Sequence, residues 1–391
     1  MPTNALMNTY GERALTLVRG EGAYVWDSEG KRYLDALAGI AVCGLGHAHP
    51  AVTEAVSGQA SSLVHCSNLY NIPAQQQFAD KLQSVSGMSK LFFGNSGAEA
   101  NEAAIKLARL HGHSKGIEVP TIIVMDNAFH GRTLATLTAT GNRKVHAGFE
   151  PLVRGFTRAP YNDIGAIKTI ASNNPNITAI LVEPIQGEGG IQVPDADYLQ
   201  NLRALCDEHD WLLMLDEIQT GNGRTGAFFN YQLHGVMPDV ATLSKGLGNG
   251  FPIGACFVHG KATDLFQPGN HGSTFGGNPV ACAAGLATVN TIVDQDLSGS
   301  AARLGKQLLQ QFSDELGDCD HVVDIRGQGL MIGLELNTPC AELVAQAAEQ
   351  GLLINVTAGN VVRLLPPLIF SDEQAQQLVA ILSPLIRNFN P

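Results

Sequence analysis

Residues 211–250 read WLLMLDEIQTGNGRTGAFFNYQLHGVMPDVATLSKGLGNG, and two short apolar runs inside that stretch decide the fold. WLLMLDE (211–217) and DVATLSK (239–245) are nearly continuous, without polar alternation, as in strands that a parallel sheet buries on both faces. TIIVMD (121–126) and TAILVEP (178–184) repeat the pattern upstream. Helical stretches lie between such runs, for example from Ser96 to His111 and from Tyr198 to His209. The alternation predicts an α/β fold with a mostly parallel sheet sandwiched by helices. Toward the N-terminus, YVWDSEGKRYLD predicts a hairpin around Asp27 to Gly30, followed by the loop GLGHAHP. Beyond about residue 290 the texture changes. A long amphipathic helix (302–316), VVDIRGQGLMIGLEL, LLINV, VVRLLPPL and a terminal helix read as a smaller α+β module. The expected organisation is an N-terminal segment (1–50) packing with the small domain, a large domain (51–290) and a C-terminal small α+β domain (291–391).

The chain has 391 residues and a formal net charge of −12. It lacks the basic footprint that nucleic-acid binding needs to displace counterions. Its seven cysteines are scattered, with no C-x-x-C, which reads as free thiols in a cytoplasmic protein. No signal-peptide layout opens the chain, and no apolar run approaches a membrane span. Twelve histidines show no H-E-x-x-H spacing, so no metal is expected.

Ligands of open α/β sheets sit at the carboxyl ends of strands, and four loops with suggestive chemistry fall there. Phe93-Gly94-Asn95-Ser96-Gly97-Ala98-Glu99 opens a helix. Ser96 and Glu99 have capping-box spacing, and Glu102 is placed to pair with Lys106. The segment is either a well-capped helix or a phosphate cradle whose backbone N–H groups face an anion. Asp216 and Glu217 end a strand after an apolar run, where an unpaired carboxylate is costly. Such a group either caps the next loop or pairs with a buried cation, a protonated pyridine nitrogen for instance. Lys245 ends another strand beside Gly246, Gly248 and Gly250. It is either a solvated loop lysine or a desolvated nucleophile, the glycines leaving room for a planar ligand. Ser273 and Thr274 beside glycines bind phosphate oxygens or form an ordinary turn. Gly221-Asn222-Gly223-Arg224-Thr225-Gly226 fits G-x-G-x-x-G, but it follows its strand four residues late and opens no clear amphipathic helix. The context of an NAD-dependent dehydrogenase is missing.

Nine segments in one order carry a resemblance across nearly the whole chain: AGIAVCGLGHAHP, GNSGAEANEAAIKLAR, NAFHGRT, VEPIQGEGG, MLDEIQTGNGRTG, LSKGLGNGFPIGA, HGSTFGGNP, RGQGLMIGLEL and RLLPPL. Together they resemble the class III (subgroup II) aminotransferases of fold type I, which depend on pyridoxal 5′-phosphate (PLP). The stretch HCSNLYNIPAQ (65–75) is most similar to members acting on N2-acetylornithine, rather than those acting on ornithine or 4-aminobutyrate. Succinylornithine is the allied alternative. Asn222 stands where the family generally has an apolar residue or cysteine.

The resemblance implies that Lys245 joins the cofactor as a Schiff base and that Asp216 pairs with the pyridine nitrogen. It implies phosphate binding by the backbone N–H groups of Gly97 and Ala98, ring stacking by Phe129, and a place for Gln219 near the ring's phenolic oxygen. Thr274 would reach the phosphate of the neighbouring subunit's cofactor and Ser273 that subunit's substrate, hence a homodimer with shared sites. Arg132 would grip the carboxylate remote from the reacting amine, and Arg363 the α-carboxylate of glutamate. Glu188 would pair with Arg363 until glutamate displaces it. From the residues alone these three read as a surface arginine, a strand-edge arginine and a loop carboxylate, and the resemblance reverses that reading. The implied reaction, part of arginine metabolism, moves the δ-amino group of N2-acetyl-L-ornithine to 2-oxoglutarate.

Overall fold

A computed structural model describes residues 5–11 and 13–389 of the chain. The apolar runs form the middle of a seven-stranded sheet, in the order Lys90–Gly94, Gly254–Val258, Val240–Leu243, Leu212–Asp216, Ile177–Val182, Thr121–Met125 and Phe156–Ala159. All pairs from Val240–Leu243 to Phe156–Ala159 are parallel. Gly254–Val258 alone runs backwards, antiparallel to both its neighbours. Every residue of the four strands expected from apolar runs is buried. Three strands were not anticipated. Lys90–Gly94 and Phe156–Ala159 lie at the edges and are only partly buried. Gly254–Val258 is wholly buried but contains Gly254 and Ala255, which dilute its apolar signal.

Small residues set the packing on one face of the sheet. Helix Gly97–Ser114 buries Ala100, Ala103, Ala104 and Ala108 against Ile122, Val124, Leu181 and Met214. Alanine side chains let the helix axis approach the sheet closely while still removing apolar surface from water. The other face rests on a larger core that runs on to helix Leu297–Leu316. That helix starts five residues before the expected 302, because Asp296 caps it by accepting from the N–H of Gly299.

Two four-stranded sheets flank this body. Val322–Gln328, Met331–Leu336, Val361–Leu364 and Asn355–Thr357 form an antiparallel one. The N-terminal hairpin forms where expected, with Tyr24–Asp27 against Arg32–Asp35. Asp27 fixes its turn by accepting from the N–H groups of Glu29 and Lys31 and from the Tyr33 hydroxyl. Leu352–Leu353 then adds in parallel to Arg32–Asp35, tying the two ends of the chain into one sheet. Among the described residues no helix is long and apolar enough to cross a membrane.

Because the central strands are parallel, five strand ends (Gly94, Met125, Val182, Asp216 and Leu243) emerge along one edge of the sheet. The candidate site stands on that edge.

Candidate active site

Lys245 sits two residues past its strand, with a left-handed backbone (φ +46°). That conformation costs a non-glycine residue about 1–2 kcal/mol and persists only where neighbours impose it. Ser244 is pinned on both sides: its hydroxyl donates to the Ile253 carbonyl (2.8 Å), and its own carbonyl accepts from Asn222 Nδ2 (2.9 Å). The Lys245 amine opens on a cavity of about 280 Å³. Burial pulls its pKa below the ordinary lysine value; Arg363 pushes the same way, against the nearby carboxylates of Glu188, Asp216 and Glu183.

The glycines after Lys245 have a different cause from the one expected. A Cβ on Gly246 would stand 3.2 Å from Asn222 Cβ, and one on Gly248 would stand 2.9 Å from Ile253 Cγ2. They admit protein neighbours that brace the turn, and they do not line the cavity.

Asp216 faces the same cavity and is only 3% exposed. Its Oδ2 accepts from Asn101 Nδ2 and His130 Nδ1, both at 2.7 Å, and Oδ1 accepts from the N–H of Ile218 at 3.1 Å. The Asn101 carbonyl oxygen accepts in turn from the Thr242 hydroxyl. Three donors on one carboxylate offset much of its desolvation. His130 Nε2 is buried without a partner among the described residues. Glu217, next in sequence, takes the other course. It points away from the cavity and caps the following loop, accepting from the Thr220 hydroxyl and from the N–H groups of Asn230 and Tyr231.

Helix Gly97–Ser114 presents its N-terminus to the cavity through Gly97 and Ala98. A Cβ at Gly97 would stand 2.7 Å from Ile218 Cδ1, so any side chain here would have to displace Ile218. The expected capping box is half formed. Ser96 Oγ accepts from the N–H of Glu99, but Glu99 reaches back to the N–H and amide of Asn95 instead of to Ser96. The expected Glu102–Lys106 pair is absent. Glu102 accepts from the Thr133 hydroxyl and the N–H of Thr136, where it serves the start of helix Leu134–Ala139. Lys106 donates to the Asn270 carbonyl and lies 3.0 Å from His271 Nδ1. A helix start left short of acceptors outcompetes an exposed ion pair.

The loop after Met125 supplies Phe129 and Arg132, whose guanidinium lies 5.6 Å from the Phe129 ring centroid. Gln219 also lines the cavity, and its Oε1 is buried without a partner among the described residues. On the far side Glu188 Oε1 lies 2.5 Å from Arg363 Nη1. Arg363 is 1% exposed, and its Nε and Nη2 both donate to Asn355 Oδ1. Burial raises the Glu188 pKa, but Arg363, Lys245 and a hydrogen bond from Gln219 together bring it below the ordinary value. Phe129, Arg132 and Glu188 also line a wider cleft of about 570 Å³ that leads outward past Lys144 and residues 357–359.

Eight of the residues singled out from the sequence therefore share one cavity: Gly97, Ala98, Phe129, Arg132, Glu188, Asp216, Gln219 and Lys245. Arg363 joins through Glu188. Ser273 and Thr274 do not line it. Ser273 Oγ accepts from Asn95 Nδ2 and from the N–H of Gly276, and Thr274 is exposed. Asn101, His130 and Glu183 were missed as site residues. Asn101 lies one helical turn beyond Gly97, His130 is in the quoted NAFHGRT, and Glu183 ends a strand just as Asp216 does. Glu183 is buried, and burial pushes its pKa up.

The arrangement joins a desolvated amine, a buried carboxylate, a helix N-terminus and two arginines. The class-III aminotransferase family model matches residues 7–386. An acetylornithine aminotransferase of Nitrosomonas europaea is 56% identical over 98% of both chains. Among solved structures, an acetylornithine aminotransferase from Elizabethkingia anophelis superposes with a TM-score of 0.88 at 37% identity, over 98% of this chain and 96% of that one. An ornithine aminotransferase from Toxoplasma gondii, with PLP at partial occupancy in its active site, gives 0.92 at 34% identity, over 96% and 90%.

Proposed function

The chain belongs to the class-III aminotransferases, and from that premise we propose that it moves the δ-amino group of N2-acetyl-L-ornithine to 2-oxoglutarate. The products are N-acetyl-L-glutamate 5-semialdehyde and L-glutamate. The observation that carries the substrate is the 56% identity, end to end, with an acetylornithine aminotransferase.

The family implies PLP, and the cavity suits it on three counts. A desolvated amine at Lys245 suits its aldehyde, the buried Asp216 suits a protonated ring nitrogen, and the N–H groups of Gly97 and Ala98 suit its phosphate. The vacant acceptor on Gln219 lies among these groups, available to the ring's phenolic substituent. When bound, PLP supplies an electron sink for the carbon that loses its proton. The Lys245 amine would take that proton as base and return it as acid, which requires its unprotonated form. Asn101 and His130 hold Asp216 in place for this work.

Substrate choice rests on two arginines. Glutamate has a carboxylate for each, the remote one on Arg132 and the α-carboxylate on Arg363. Acetylornithine has only the remote one, and a lone buried Arg363 is costly. Glu188 fills that place while acetylornithine reacts and yields it to glutamate.

We also propose a cytoplasmic homodimer with shared sites. Exposed Leu63, Val64, Leu69, Tyr70 and Phe275 form apolar surface next to Ser273 and Thr274. The Asn68 amide ties the two segments together by donating to the carbonyls of Ser273 and Gly276. All seven cysteines are free thiols, as suits a reducing compartment.

The test is a half-reaction panel on purified yellow enzyme, read as loss of the absorbance of the lysine-bound cofactor. Acetylornithine should react faster than ornithine or 4-aminobutyrate; a faster reaction with either of those overturns the assignment.

A further inference from the structure

Glu183 directly follows strand Ile177–Val182 and lines the cavity, and its two oxygens serve different loops. Oε2 accepts from the N–H of Phe129 at 3.0 Å, and Oε1 accepts from the N–H of Gly187 at 3.3 Å. The first loop carries Arg132 and the second carries Glu188. We infer that Glu183 is a positioning residue that couples the arginine wall to the switch carboxylate, and so helps the site to accept two unlike substrates. The inference rests on the acyl-ornithine reading above.

A structural role alone would place any acceptor under either loop. What marks this group is that one carboxylate spans both, and that each loop delivers a charge that recognises substrate. Other bonds also hold the second loop: Thr357 Oγ1 donates to the Glu188 carbonyl, and Arg326 donates to those of Gly190 and Ile191. Losing the Glu183 contact should therefore shift Glu188 without unravelling its loop.

Glu183→Gln keeps the shape but replaces one acceptor with an NH₂ donor. The shorter bond to Phe129 should retain the amide oxygen, leaving two donors opposed at Gly187. Glu188 is then held less firmly against Arg363, and the substrate without an α-carboxylate at the reacting end suffers. The variant should lose about fivefold in kcat/KM for the acetylornithine half-reaction and less than about twofold for glutamate. In a Glu188→Ala background the same change should cost acetylornithine less than about twofold more, because the two act through one contact. Amide hydrogen exchange should quicken across 185–190 and stay unchanged across 126–132.

If Glu183→Gln does not fold, Glu183→Asp, too short to span both loops, is expected to show the same split. Equal losses in both half-reactions, full additivity with Glu188→Ala, or unchanged exchange at 185–190 would overturn the proposal. A native enzyme that ignores acetylornithine overturns the substrate reading instead, and the exchange experiment still tests whether Glu183 anchors the loop that carries Glu188.

Discussion

On the proposed reading Lys245 works through its unprotonated amine, and its surroundings favour that form. Desolvation holds its pKa below the ordinary lysine value, so the base form persists to lower pH than it would in water. Asp216→Asn keeps the volume but removes the charge proposed to face the ring nitrogen; kcat should fall by roughly a hundredfold or more, measured in both half-reactions. A loss confined to one of them would show that Asp216 serves a substrate and not the shared chemistry. Glu188→Ala should slow the acetylornithine half-reaction about tenfold or more while sparing glutamate, which brings its own partner for Arg363. Equal losses would count against the switch. Glu217 gives a prediction about stability. Burial pushes its carboxyl up to about 7 from 4.5, despite the hydrogen bonds it accepts. A carboxyl whose pKa is raised by folding favours the folded state below its unfolded pKa, and that contribution is lost as pH climbs through its folded one. In Glu217→Gln the fall in Tm between about pH 5 and pH 7 should therefore be shallower than in the native chain. Identical slopes would mean that Glu217 titrates as an exposed carboxyl does.

At the scale of elements, two helix starts carry the same sequence signal and differ in use. Ser371 and Gln374 close a complete box: the serine hydroxyl accepts from the N–H of Gln374, whose side chain accepts from that of Ser371. At Ser96 the glutamate three residues on turns to Asn95 instead, and the helix start faces the cavity. Ser371→Ala should thus cost about 1 kcal/mol, seen in chemical denaturation, and leave half-reaction rates unchanged. A rate change would tie the terminal helix to the site. The comparison also shows what was readable beforehand. Buried strands announce themselves where large apolar side chains fill both faces, which Gly254–Val258 lacks at its start, and the hairpin does so through its turn residues. Partner choice among polar side chains was not readable. Glu102 passes over Lys106, one turn away, for a helix start 31 residues further on. Gly246 and Gly248 follow Lys245 for the sake of Asn222 and Ile253, a need set by packing between distant segments.

At the scale of the molecule, strand direction makes the site. Five strand ends on one edge gather residues from 97 to 245, which is why short motifs scattered over the chain and kept in order were informative. The role proposed for Ser273 and Thr274 rests on family resemblance alone, since neither lines the cavity of its own chain. If the sites are shared, the native protein should sediment at twice the 41.4 kDa of one chain. Phe275→Asp, on the exposed apolar surface, should shift it toward monomer with loss of activity. A fully active monomer would refute shared sites. The whole account turns on Lys245 as the residue that holds the cofactor. Borohydride reduction of the active enzyme, followed by peptide mapping, should place a reduced pyridoxyl adduct on the peptide containing Lys245. An active preparation with residue 245 unmodified, or with the adduct on another lysine, would contradict it.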